Sequence, residues 1–414
     1  MARQMKDSGV EWIGDIPKEW QVIKCKHLAT VQSGFPFDSA KFSNSEGTPL
    51  IRIRDITSGY TQTFYTGEYD SEYIVSRGNL LIGMDGDFNI RMWQGTNALL
   101  NQRCCRVVSN SEIELSFLYY CLPFHLEITN NLAYATTVKH LSNSDILNAP
   151  VPYPQKCTRE RIIFYLDSKC AEIDKVVEQT RATIEEYKKL KQAIITEAVT
   201  KGVRGPRPMK PSDVEWIGDI PEEWEVRKVS QFWKANKGPN AAQLTAEYCG
   251  NHPGAYPVYS GQTENNGVMG MIDTYSFDFG ARGCLFSTTV GAKAMTVSCL
   301  YNKFSLSQNC MIMQPLSEKC DVRYYFYLFA FIFGYFRSLI PDYMQPSFRV
   351  KDFLSYCMLL PSVIEQQEIA TYLDTKCAEI DRIIEKKEQL IEELGSYKKS
   401  LIYEYVTGKK EVTT

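Results

Sequence analysis

Four histidines, thirteen cysteines and forty-nine carboxylates give this 414-residue chain material for acid–base or metal chemistry, yet their spacing organises none of it. His27, His125, His140 and His252 stand apart, in no HExxH or HxH arrangement. No CxxC pair occurs, and the adjacent Cys104 and Cys105 suit neither a zinc cluster nor a disulfide ladder, so no metal site is expected. An odd number of scattered thiols fits a reducing cytoplasm. There is no GxxxxGK[ST] loop, no GxSxG elbow and no PD…ExK signature. A methyltransferase would need a glycine-rich cofactor loop with an NPPY or DPPY motif; neither form is present, and GMDGDF is too weak a match. The chain is expected to bind and not to catalyse.

Polar and aromatic segments offer the better chemistry. In the first half these are Lys41 with Phe42, Arg52 and Arg54 in IRIRD, and Thr136, Thr137, Lys139 and His140 in TTVKH. In the second they are Gln262, Thr263, Asn265 and Asn266 in YSGQTENNG, Thr288, Thr289 and Lys293 in STTVGAK, and Gln345, Ser347 and Arg349 in MQPSFR. Arginine can hold guanine bidentately, and Gln or Asn can hold adenine, in a major groove. Thr, Ser and Lys hold phosphates. Any one of these residues could equally be a loop cap or a solvated charge; the set carries the reading.

The elements that must position them repeat. VEWIGDIPKEW at residues 10–20 returns as VEWIGDIPEEW at 214–224, ten identities in eleven positions at an offset of 204. DSKCAEID at 167–174 returns as DTKCAEID at 374–381, at an offset of 207. Between these anchors the likeness is thin but ordered: Gly86 with Gly291, Gln102 with Gln308, Cys104 with Cys310, Asp145 with Asp352, Pro154 with Pro361. Each half therefore has a near-identical entry segment, a divergent block of about 130 residues and a near-identical exit segment. Old duplication with drift is one explanation; two domains that read different targets also accounts for ends that stayed alike.

Inside the blocks, short apolar runs such as TPLIRIRDI, NLLIGMDG and RCCRVV precede a helical SFLYYCL. The second block repeats that plan and ends in YYFYLFAFIFGYF, whose 13 residues fall short of the roughly 18–20 of a membrane span and predict a buried helix. Mixed α/β domains follow. The N-terminal residues lack the apolar stretch of a secretory signal.

The exit segments predict long heptad helices. The first carries Leu166, Cys170, Ile173, Val177, Thr180, Ile184, Tyr187, Lys191, Ile194 and Ala198 on one seam; the second carries Leu373, Cys377, Ile380, Ile384, Lys387, Ile391, Leu394, Lys398, Leu401 and Tyr405. Glu and Lys fill the other positions. From Leu166 to Ala198 such a helix reaches about 50 Å at roughly 1.5 Å per residue. If the halves share one fold about a pseudo-dyad, the two helices pair antiparallel within the chain; the alternative packs each helix on its own domain. Seam lysines specify register at a cost in stability, and Lys191 and Lys398 are candidates for a partner-binding patch as well. GVRGPRPMKP at 202–211 is the linker. The expected division is 1–155 (entry segment and first domain), 156–204 (first helix), 205–361 (linker, entry segment and second domain) and 362–414 (second helix and tail).

The EWIGDIPxEW entry motif, the proline-ended blocks and the paired AEID helices together resemble the specificity subunit of type I restriction–modification systems, over nearly the whole chain. The resemblance implies two α/β target recognition domains, each reading one half of a bipartite double-stranded DNA site, joined by an antiparallel coiled coil that sets the spacer. It implies two modification subunits that use S-adenosylmethionine to methylate adenine N6, and restriction subunits that use ATP and Mg, with no cofactor in this chain. A type IIB- or IIG-like restriction protein and a coiled-coil scaffold that does not bind DNA are the alternatives. The formal net charge is −3. Residues 21–155 hold 10 Lys plus Arg against 12 Asp plus Glu, and residues 225–361 hold 12 against 9. Neither block is basic enough to bind DNA through phosphate neutralisation alone, which suits a reader whose partners help to hold the duplex.

Overall fold

A computed structural model describes residues 3–132, 139–262, 265–291, 294–341 and 343–412. Two compact units emerge: Met1–Thr180 with Gln389–Thr414, and Arg181–Glu388. The expected division counts each long helix as a segment of its own; each unit takes part of both, Lys156–Lys201 with 46 residues and Val363–Val406 with 44.

In the first unit the entry strand Gln21–Lys24 pairs antiparallel with Pro150–Tyr153, so the divergent block leaves and returns at one place. Inside it, a four-stranded sheet has the order Ile90–Met92, Leu80–Gly83, Cys104–Val108, Thr30–Ser33. A second sheet of five short strands contains a parallel pairing of Thr48–Ile51 with Ala98–Leu100. The helix Glu112–Leu132 lies in the core with Phe117, Leu118 and Cys121, which pack with Leu80, Ile82, Leu166, Leu401 and Val406. IRIRD does not continue as a strand. Asp55 accepts the backbone N–H of Arg52 at 2.8 Å and starts a short helix, Ile53–Ser58, that ends at Gly59 in the left-handed region.

The second unit is built on the same plan. Glu225–Lys228 pairs with Cys357–Leu360. Its four-stranded sheet runs Trp233–Asn236, Cys310–Pro315, Cys284–Thr288, Ser298–Leu300, the first sheet's order read from its other edge. A parallel pair, Pro253–Tyr259 with Lys303–Leu306, recurs in its second sheet. The aromatic run becomes the helix Val322–Ser338, capped by Asp321, with Tyr324, Tyr325, Phe329 and Phe333 buried. Its phenols find acceptors: Tyr325 donates to Leu359 O at 3.0 Å and Tyr327 to Asp374 at 2.8 Å. Among the described residues no helix is long and apolar enough to cross a membrane.

The long helices pack together, antiparallel in each unit. In the first, the Tyr165 and Tyr405 rings lie 4.5 Å apart and Lys398 Nζ reaches both Asp174 oxygens at 2.6 and 2.7 Å. In the second, Arg204 Nε donates to Glu368 at 2.7 Å and Lys191 Nζ reaches both Asp381 oxygens at 2.7 Å. Lys191 and Lys398 are 207 residues apart, as are Asp174 and Asp381. The same lysine–aspartate contact between the two helices therefore occurs once in each unit. Of the seam positions, Leu166, Ile173, Ile184, Leu373 and Ile380 are buried and Val177, Tyr187, Ile384, Ile391 and Leu394 half-buried. One adjustment lies at the first helix's end, where Ile195 and Val199 are buried with Ala198 because the helix there packs on the second unit's core as well as on its partner.

Both lysines are half-buried and paired, so they act as register locks more than as stabilisers. Exposed pairs of this kind contribute about 0.2–1 kcal/mol each. Lys398→Ala is therefore expected to lower stability by less than about 1 kcal/mol, with a small favourable coupling to Asp174→Ala in a double-mutant cycle read by chemical denaturation. A coupling of several kcal/mol would contradict that account.

Candidate nucleic-acid interface

Each unit brings three separate chain segments to one junction at the end of its four-stranded sheet, and the backbone bonds that hold it are the same in both. In the first unit Met84 N donates to Arg103 O (2.9 Å), Leu141 N to Met84 O (2.7 Å) and Gly86 N to Lys139 O (3.4 Å). In the second Thr289 N donates to Asn309 O (2.8 Å), Phe348 N to Thr289 O (2.7 Å) and Gly291 N to Pro346 O (3.3 Å). Every pair of equivalent residues is 205 to 207 positions apart. Isolated bridges reinforce the match: Asp85 with His140 in one unit, Val290 with Ser347 in the other.

The turn leaving the sheet is strained in both copies. Gly86 and Gly291 have φ of 77° and 96°, and nothing lies within 4 Å of the Cβ that either lacks. Phe88 and Met295, 207 residues apart, also sit at positive φ, 50° and 66°. For bulky side chains this conformation costs of order 1–3 kcal/mol. Burial holds them there: Phe88 is packed in the first core and Met295 in the second. An apolar plug thus fixes the root of each loop, and in the first unit Gly86 and Asp87 at its tip are exposed.

On this common frame the side chains differ. The first unit displays Asp85, Arg103 and His140. Asp85 Oδ1 lies 2.8 Å from the Nδ1 of His140, and its Oδ2 lies 3.6 Å from Arg103 Nε. Asp85 is the most covered of the three, with 26% of its side chain exposed against 66% for Arg103 and 60% for His140, so it props a guanidinium and an imidazole that are both exposed. The second unit displays Val290, Asn309 and Ser347. Gln102 and Gln308 occupy equivalent exposed positions in both.

Several residues singled out from the sequence reach this junction: Lys139 and His140 in the first unit, Ser347 in the second, with Gln345 exposed beside it. Thr288 and Thr289 are in it but are buried at 3% each, so their hydroxyls are not offered to an outside ligand. Arg349 is exposed, and its backbone N–H is held by Asp352 at the start of a short helix. Lys41, Arg52 and Arg54 belong instead to the region of the five-stranded sheet. Arg52 stands over the Phe42 ring at 5.9 Å, and Arg54 donates to Thr63 at 3.3 Å. Gln262 is tied back to Val268 O at 2.6 Å, and Asn265 and Asn266 form a left-handed turn. Thr136, Thr137, Thr263 and Lys293 lie outside the described residues.

Asp85, Arg103 and Asn309 were missed by reasoning from residue type, since the polar stretches they stand in are only two or three residues long and border apolar strands. The signal that could have found them is the sparse set of matches between otherwise divergent blocks: Gly86 with Gly291 and Gln102 with Gln308 flank the junction. Cysteine chemistry has no place here. Burial pushes the Cys25 and Cys310 thiols up to about 11 and those of Cys105 and Cys284 up to about 12, so they remain neutral core fillers. Among the described residues no cluster of His, Cys, Asp or Glu could hold a metal ion.

Comparison with known proteins matches a family model, the type I restriction modification DNA specificity domain, twice, at residues 17–186 and 221–393. The EcoBI type I restriction enzyme specificity subunit of Escherichia coli is 34% identical over 205 residues, which cover 48% of this chain and 42% of that protein. The MjaVIII type I restriction enzyme specificity subunit of Methanocaldococcus jannaschii is 22% identical over 96% of this chain and 94% of its own length. A solved structure described as showing complex assembly and conformational transition of the type I R-M system shares the fold, with a TM-score of 0.68 at 16% identity over 95% of this chain and 99% of that one.

Proposed function

Because the chain belongs to the type I restriction–modification DNA specificity family, we propose that it is the DNA-recognition subunit of such a complex and that each unit reads one half of a bipartite, asymmetric site. The observation that carries this reading is the duplicated loop junction: one backbone frame, two unlike sets of exposed side chains. A frame kept twice while its display changes is what two readers of different sequences need. Phosphate contacts from threonines and lysines would set orientation, and base contacts from the junction would set sequence.

The paired helices hold the two readers at a fixed separation and present the surface on which two modification subunits dock. The chain itself supplies no bond-making group. Methylation of adenine N6 with S-adenosylmethionine, and ATP- and Mg-dependent cleavage, belong to modification and restriction partners. The near-neutral blocks agree with a reader that depends on such partners for much of its grip on the duplex.

Cells that express this chain with its modification subunit are expected to carry N6-methyladenine in a single two-part motif with unlike halves and a constant spacer, read by long-read sequencing. Absence of any modified motif with a competent partner would overturn the reading, and a continuous motif would overturn the two-reader arrangement.

A further inference from the structure

The junctions allow the reading to be taken to single residues. Arg103 and Asn309 are equivalent: each follows an exposed glutamine, Gln102 or Gln308, and each gives its carbonyl to the N–H that ends the central strand, at 2.9 and 2.8 Å. Their carbonyls are therefore held alike, while Asn309 alone of the two has a positive φ and their side chains carry different donor and acceptor patterns. Guanidinium is donor-only and matches guanine O6 and N7; a carboxamide offers one donor and one acceptor edge and matches adenine N6 and N7.

The surroundings differ in the way the two chemistries require. A long, flexible arginine has to be held to read one base, and Asp85 lies 3.6 Å from its Nε while 66% of the arginine side chain stays exposed. Asp85 is in turn fixed by His140 at 2.8 Å and by the turn whose root is Phe88. Beside the short Asn309, the positions of Asp85 and His140 are taken by Val290 and Ser347, neither of which carries a charge. Asn309 instead sits at φ 65°, in a left-handed turn that fixes its own direction.

We propose that Arg103 and Asn309 are the specificity-determining side chains at equivalent positions of the two half-sites, with Arg103 reading a guanine under the control of Asp85 as a positioning residue and Asn309 reading an adenine. This inference rests on the function proposed above. It commits to unlike bases at one shared place in the geometry, so the two variants must act on different halves of one motif.

The test uses the full-length chain with its modification subunit and reads the methylated motif genome-wide. Arg103→Ala is expected to relax one guanine of one half-site, with discrimination falling about tenfold or more, while the other half stays unchanged. Asn309→Ala is expected to relax one adenine of the other half. Asp85→Asn is expected to weaken the same guanine preference as Arg103→Ala, to a smaller degree, without affecting the rest of the motif. If both alanine variants keep the parent motif, the proposal fails. If Arg103→Ala abolishes modification, Arg103→Lys decides: a relaxed guanine supports base reading, whereas an unchanged motif assigns Arg103 to a phosphate and overturns it. Loss of all modification in both Arg103 variants also overturns it, since one base contact does not hold the complex. A parent chain that yields no motif at all fails the functional reading instead, a separately visible result.

Discussion

Residues 1–205 alone are expected to form a dimer. The first unit needs residues 389–414, whose Leu401, Tyr405 and Val406 are buried in its core. Each such side chain contributes about 1.5–3 kcal/mol by burial, so a lone half-chain forfeits much of a typical domain's stability of about 5–15 kcal/mol. A second copy can supply the missing surface, because Ile194, Ala198 and Val199 stand 207 residues before Leu401, Tyr405 and Val406. The lock is preserved too: Asp174 would meet Lys191 of the second copy where it now meets Lys398, which is Lys191's repeat equivalent. Sedimentation should show a dimer, and with the modification subunit the methylated motif should become an inverted repeat of one half-site. A soluble, folded monomer would contradict the pseudo-dyad account of the helices.

Glu365→Ala is expected to cost about 1–3 kcal/mol, because the buried Trp224 indole N–H loses its acceptor while Arg207 keeps Glu223 at 2.8 Å and the Lys201 carbonyl at 2.8 Å. Glu365 is 1% exposed at the start of the second long helix. Its Oε2 accepts the indole N–H of Trp224 at 2.9 Å, and its Oε1 lies 2.6 Å from Arg207 Nη2. Arg207 also stands over the Trp224 ring at 5.2 Å. Without the carboxylate, a guanidinium only 11% exposed and an indole N–H lose their shared partner. The first unit repeats Arg3 over Trp20 at 5.5 Å, but Thr158 occupies the place of Glu365. The loss should therefore fall on the second unit alone, visible as a new early transition in calorimetry and as hydrogen exchange confined to residues 181–388. Uniform destabilisation of both units would count against this placement.

Glu365 shows what the sequence concealed. SVIEQQEIA reads as the solvated first turn of a helix, and nothing in its pattern says that the first glutamate is buried against a tryptophan 141 residues earlier. By contrast, the helical seam was legible, because its periodicity is local and is stated twice, and so was the entry-and-exit architecture. The candidate interface was legible only in part. His140 and Ser347 stood out by residue type, yet Asp85 and Arg103 gain their role from being brought together across a sheet end. TPLIRIRDI reads as one short apolar run, but it divides after Ile51, where Asp55 closing on the N–H of Arg52 turns the chain into a helix. Thr288 and Thr289 misled because a polar run can end a central strand as readily as it can form a loop.

The antiparallel ladders that join each block's first and last strands, Gln21–Lys24 with Pro150–Tyr153 and Glu225–Lys228 with Cys357–Leu360, have an evolutionary corollary. Whatever lies between the two clamped strands begins and ends at the same spot, so a foreign block of another length can be seated without moving the helices. The near-identical sequences that flank both blocks also give homologous recombination a place to cross over. On the function proposed above, exchange of one cassette would change the sequence read by one block and leave the other block's as it was.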